Sequence, residues 1–319
     1  MIKLQSLEYG LKRMPTTIGL RVYKIIVGRE RNRTPISFDA EGMVLTLPNF
    51  TEVFIIQNAG AREPTPEETE LDRKWFFEPA KDNAGSHRGV VRYGISGFES
   101  DIVDSNTNRR EFRRAINHME IIPLFYEFWF PSGVNYAFAV FQSFSARSCV
   151  ELVSAKMRAD FSRKNPGFTL SFLKLMPTGK GGIYDASPVK GLRFIKRNAP
   201  SDVADRYLNN NIQGGVNFEI SINARRKGSL GSLRDLTGSI VPGKGGVIEH
   251  DGVIFDEAVA EIEFGGRRRR VAMLGSNSEA GVIDLTDIKR GRDGHPVFSA
   301  ICQASSELLA DFDAVVRKS

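Results

Sequence analysis

Four consecutive arginines, Arg267, Arg268, Arg269 and Arg270, follow Gly265 and Gly266, and guanidinium groups at that density are suited to phosphate. In a strand, alternate side chains face opposite ways, so two of the four are expected on each face. Three further basic groups are spaced in patterns that elements could present. Arg225, Arg226 and Lys227 end the strand-like stretch VNFEISINA, while Arg193, Lys196 and Arg197 lie along GLRFIKR. Arg109, Arg110, Arg113 and Arg114 stand at i, i+1, i+4 and i+5, a spacing that predicts one face of a helix. The competing expectation is that these are solvated faces paired with acids such as Glu261 and Glu263. Lys180 and Lys244 sit in two similar loops, PTGKGGI and PGKGGV, where glycines could turn backbone N–H groups toward an anion. Neither loop has the spacing of a phosphate-binding loop, so nucleotide hydrolysis of that class has no support.

Signals for covalent or metal chemistry are sparse. Gly94-Ile95-Ser96-Gly97 is followed by Phe98, which removes the final glycine of a nucleophile elbow. Asp256 or Glu263, with Asp287 and Lys289, gives the residue types of a Mg²⁺-dependent nuclease, in which carboxylates hold the metal and lysine steadies the attacking water. Cys149 and Cys302 are too few for a disulfide framework, and His87, His118, His250 and His295 lie far apart, so neither a Cys/His metal site nor a cofactor is expected. The aromatic strand VNYAFAVF is similar to the base-stacking strand of RNA-recognition motifs, but it lacks the leading basic-glycine pair and also suits a core.

Composition sets the frame for these clusters. The 319 residues carry 44 basic and 38 acidic side chains, a net charge of +6, and Arg outnumbers Lys nearly two to one. This balance favours a polyanion as partner. With 41% hydrophobic residues, among them 22 Phe, the chain has ample material for a core. The longest apolar run, IIPLFYEFWF, contains Glu127 and is about half of the ~20 residues a membrane span needs, so no membrane insertion is expected. The first residues, MIKLQSLEYGLKRMP, lack the apolar stretch of a secretory leader, which predicts a cytoplasmic protein.

The elements that must position the basic groups give an α+β chain with three modules. Residues 1–120 form a β-rich N-terminal module, with strands at Gly19 to Val27, Met43 to Leu47, Glu52 to Gln57 and Gly89 to Gly94. A short helix from Pro66 is expected to run into Lys74-Trp75-Phe76-Phe77. Residues 121–228 read as strand YAFAVFQSF, helix Cys149 to Arg163, strand FTLSFLKLM, strand GLRFIKR, a helix entered at Ser201-Asp202, and strand VNFEISINA, the order of a split βαβ, or ferredoxin-like, unit. Residues 229–319 give a short helix over Ser229 to Thr237, a hairpin turning at Gly265-Gly266, and an amphipathic helix within His295 to Arg317 that packs back on the hairpin sheet or joins the N-terminal module.

Between Pro123 and Leu274 this order of strands and helices, closing on the hairpin and its arginine run, resembles the DNA-binding component of the Rex phage-exclusion system and the DNA-binding subunit of the Kiwa defence system. The likeness is one of layout, and it transfers no individual residue. It implies a non-enzymatic, sequence-independent binder of double-stranded DNA, a homodimer, acting in antiviral defence beside a second defence protein. Two other functions fit the residues: a metal-dependent nuclease or toxin effector, and a module that senses a phage protein.

Overall fold

The computed structural model describes residues 17–319, apart from 33, 61–65, 71, 81–84, 146, 179–181, 200–215, 241–247, 251–252, 256, 275–280 and 319. Among these residues the chain is α+β, built on a large antiparallel sheet with few helices. The first strand, β1 (Ile18–Arg29), alternates Leu20, Val22 and Ile26 on one face with Ile25 and Val27 on the other, and all are buried. Such a strand must be covered on both sides.

Along one edge β1 pairs with β7 (Ala137–Phe144), which continues through β6 (Glu120–Trp129) and β3 (Ser86–Ile95) to β2 (Arg73–Pro79). Along its other edge β1 carries β8 (Phe168–Leu175) against Val22 to Arg29, and the two-residue strand β15 (Ile283–Asp284) against Gly19 and Leu20. β15 leads through Val271 into a second group of strands, β14 (Arg267–Leu274), β13 (Glu257–Phe264), β9 (Val189–Ala199) and the outer strand β10 (Val216–Asn223). Gly19 is required at this junction, because a Cβ there would stand 2.9 Å from the Ile283 carbonyl oxygen and closer still to Val282. The remaining strands, β4 (Ser100–Val103) with β5 (Arg110–Arg114) and β11 (Ile248–His250) with β12 (Val253–Phe255), form separate pairs.

Helices α1 (Leu47–Gln57) and α3 (Val150–Lys164) cover one face of the first strand group, where Phe50, Phe54, Met157 and Phe161 meet Trp75, Phe77, Tyr126 and Phe141. The last helix, α5 (Phe298–Val316), covers the other face with Ile301, Leu308, Leu309 and Phe312. The short helices α2 (Pro66–Glu70) and α4 (Leu233–Ile240) complete the set among the described residues, and Leu233 packs in the separate core of the second strand group. No helix among the described residues is long and apolar enough to cross a membrane.

Three expectations change. Glu52 to Gln57 and Leu47 belong to α1, not to strands: Leu47, Phe50, Thr51, Phe54 and Ile55 are all buried, the i, i+3, i+4, i+7, i+8 stripe of a helix. Lys74 to Phe77 is strand β2, since α2 ends at Glu70. The strands from β7 to β10 do not pair as a split βαβ unit, which needs its first and third strands parallel and adjacent. Here β7 lies between β1 and β6, β8 pairs with β1, and β9 lies between β10 and β13, all antiparallel. The helix expected at Ser201-Asp202 lies outside the described residues.

Candidate nucleic-acid interface

The β13–β14 hairpin turns where expected, with Gly265 at φ 56° and Gly266 at φ 75°, the left-handed pair that a two-residue hairpin loop of this type requires. Strand alternation then splits the four arginines as predicted. Arg267 and Arg269 face α5, while Arg268 and Arg270 lie on the opposite, open face. All four meet acids. Arg269 is the most buried, with Nε donating to Asp311 Oδ2 at 2.7 Å and Nη1 to Glu307 Oε2 at 3.0 Å. Arg267 reaches Glu307 at 3.7 Å, Arg268 pairs with Glu261, and Arg270 pairs with Asp287.

The Tyr184 hydroxyl donates to the same Asp311 Oδ2 at 3.4 Å. Burial, and then the Asp311 charge, raise the Tyr184 phenol well above its ordinary range. Burial opposes the Arg269 charge, but the hydrogen bond and charge of Asp311 outweigh it and raise the guanidinium pKa. Arg269 is therefore a cation that ties the hairpin to α5.

The run Arg225, Arg226 and Lys227 differs. All three are exposed, and none has an ion pair among the described residues. The turn that carries them is pinned at both ends: the Ala224 N–H donates to Lys190 O at 2.8 Å, and the Lys190 ammonium donates to Gly228 O at 3.1 Å. Inside it the Gly228 N–H donates to Arg225 O, and Arg226 takes a left-handed φ of 46°. Three cations are thus carried on a pinned turn without neutralising partners among the described residues.

Register brings this turn to the same end of the sheet as the arginine hairpin. Asn223 pairs with Gly191, Gly191 with Glu261, and Glu261 with Arg270, one row across β10, β9, β13 and β14. Three strand spacings, about 14 Å, separate the outer members of that row. Beyond it toward the same end stand Arg225, Arg226, Lys227, Lys190, Arg267 and Arg268, opposed by Glu261 and Glu263. Gly191 leaves a shallow notch in the open face, walled by Ser221, Asn223, Arg193 and Arg270. A Cβ on Gly191 would stand 2.7 Å from Asn223 Oδ1.

The other basic residues divide. Arg193 lies on the open face, 3.6 Å from Glu219, and half-buried Lys196 stands opposite Phe218. Arg197 belongs to β9, but its side chain, like Lys180 and Lys244, lies outside the described residues. The helix expected for Arg109 to Arg114 is instead β5, paired with β4 across a turn in which Asp104 accepts from the Asn106 and Thr107 N–H groups at 2.8 and 2.7 Å. The single basic face is lost with it. Arg110 is 3.7 Å from Asp101 and Arg113 2.9 Å from Glu99. Arg114 is buried, 3.5 Å from Glu120 and 4.1 Å from the Phe98 ring. Arg109 alone of the four is exposed and free of an ion pair among the described residues.

Among the described residues no three His, Cys, Asp or Glu side chains gather as a metal site would need. Glu263 is 3.3 Å from Lys190 and Asp287 is held by Arg270, while Asp256 lies outside the described residues. Sequence reasoning missed Lys190, whose signal was its place immediately before GLRFIKR. It also missed Glu307 and Asp311, which nothing in the sequence connects to the arginines. No family model matches the chain, and neither a curated protein nor a solved structure matches it.

Proposed function

We propose that this chain binds double-stranded DNA through backbone phosphates, without reading sequence, at the sheet end that carries Arg225, Arg226 and Lys227 together with Arg267 and Arg268. The observation that supports this is the pinned turn of three exposed cations without acidic partners among the described residues, beside a second basic run at the same end of the sheet. A turn whose backbone is already pinned loses little backbone freedom on meeting a phosphate, and each contact releases condensed counterions, which favours binding at low salt. The setting, a cytoplasmic anti-phage defence in which the protein works as a homodimer beside a second defence protein, is proposed from the likeness in layout to the Rex and Kiwa proteins.

Fluorescence anisotropy of a labelled duplex, a single strand and an RNA over a salt series tests the proposal. The duplex is expected to bind tightest and uncut with or without Mg²⁺, with log affinity falling linearly with log salt by about 0.9 for each phosphate contacted. A flat salt response would overturn it. Mg²⁺-dependent cleavage abolished by Asp287→Ala would replace it with the nuclease.

A further inference from the structure

A second site lies away from the basic end, between β3, β6 and α5. Arg88 and Glu127 are direct cross-strand partners, as are Ser86 and Trp129 beside them. Glu127 is only 3% exposed. Its Oε1 accepts from the Ser86 hydroxyl at 2.7 Å, but Oε2 is buried with no hydrogen-bond partner, and Arg88 Nε is likewise buried and without one. A buried carboxylate oxygen and a buried guanidinium N–H left unmade each cost stability, so a group that satisfies both gains on entering. Both side chains line a pocket of about 190 Å³, together with Trp129, Ser306, Leu309 and Ala310. That is below the roughly 300–1,000 Å³ of drug-sized ligand sites, which restricts the occupant to a single ring system.

The required complement is an acceptor and an N–H donor side by side on one edge of a flat molecule. The indole of Trp129 and the apolar Leu309 and Ala310 suit the faces of such a ring. We propose that this pocket binds a nucleobase, with an N–H of its edge donating to Glu127 Oε2 and the neighbouring carbonyl or ring nitrogen accepting from Arg88 Nε. The assignment does not rest on the duplex-binding reading, which concerns the opposite strand group. The base is supplied either by a free nucleoside or by a splayed base of a single strand.

Isothermal titration on the full chain tests this with adenosine, guanosine, cytidine and uridine, with caffeine as a flat ring system bearing no N–H, and with a short single-stranded oligonucleotide. The oligonucleotide arm uses the Arg225→Ala, Arg226→Ala, Lys227→Ala background, so that phosphate contacts do not contribute. At least one nucleoside is expected to bind and caffeine is not. Glu127→Gln, which turns one acceptor into a donor, is expected to weaken binding at least tenfold. Ala310→Phe, at an exposed position of α5, is expected to block the mouth while leaving the melting temperature unchanged. Binding of nucleosides assigns a free ligand; binding of the oligonucleotide alone assigns a splayed base. Silence with every nucleoside and with the oligonucleotide would reduce the pocket to ordered water only and overturn the proposal. So would binding that Ala310→Phe leaves untouched.

Discussion

The two basic runs at the end of the β10–β9–β13–β14 sheet have similar sequences and opposite physical roles. Arg267 to Arg270 lie on a strand between two acid-bearing neighbours, and Glu261, Asp287, Glu307 and Asp311 absorb their charge. Arg225 to Lys227 lie in a turn beyond the outer strand, where no neighbour supplies a carboxylate among the described residues. Charge density in a sequence therefore reports potential for phosphate binding only after the fold has paired what it can. The longer run contributes chiefly to cohesion, and the shorter one is left as the main candidate for the proposed recognition.

The sharpest way to break this contrast is Arg269→Met. If the buried ion pairs are structural, removing the guanidinium strands Asp311 and Glu307 and costs about 3 kcal/mol, read as a lowered denaturant midpoint. A loss of duplex affinity with an unchanged midpoint would reverse the roles of the two runs. The complementary triple substitution of Arg225, Arg226 and Lys227 by alanine is expected to leave the midpoint alone. It should lower duplex affinity at least tenfold and reduce the salt slope by about 0.9 for each phosphate contact removed.

Acid titration gives a smaller effect. Burial pushes the Glu307 carboxyl up, but hydrogen bonds from Gln303 and Arg269 outweigh it and hold the pKa below the ordinary value of 4.5. A depressed carboxylate contributes stability that is present above its unfolded value and is lost as pH falls through the folded one. Stability should thus decline as pH falls below about 4.5, and Arg269→Met should flatten that limb in denaturant melts at stepped pH. Smallest of all is the exposed pair Arg268 and Glu261. A double-mutant cycle is expected to return a coupling below about 1 kcal/mol, and a larger value would make the open face structural as well.

Much of the second half was readable in advance. Gly265-Gly266 marked the hairpin because only a left-handed pair makes so tight a turn, and the apolar spacing of α5 and α3 announced their buried faces. All four strands of the split βαβ expectation were present, but their partners were not legible, because β1, far earlier in the chain, lies between β7 and β8. The segment Arg109 to His118 has good helix formers. What decided it was the Asp104 turn and a partner strand whose Asp101, with Glu99 just before it, reaches Arg110 and Arg113. For α1 the helical stripe was there, hidden among β-branched and aromatic residues that also suit strands. The pairings of Arg267 and Arg269 depended on Glu307 and Asp311 of α5, about forty residues downstream, and no local pattern carries such information.

The position of α5 has a further consequence. The helix sets Leu308, Leu309 and Phe312 against the β1 and β7 face, while Glu307 and Asp311 on its flank grip the hairpin and Phe312 meets the Tyr184 ring of the second core. β15 alone would be a weak seam, two residues long, between two strand groups with separate cores. With one helix fastened to both, the groups melt together, and calorimetry should show a single cooperative transition that splits in two when Arg269 and Phe312 are both removed.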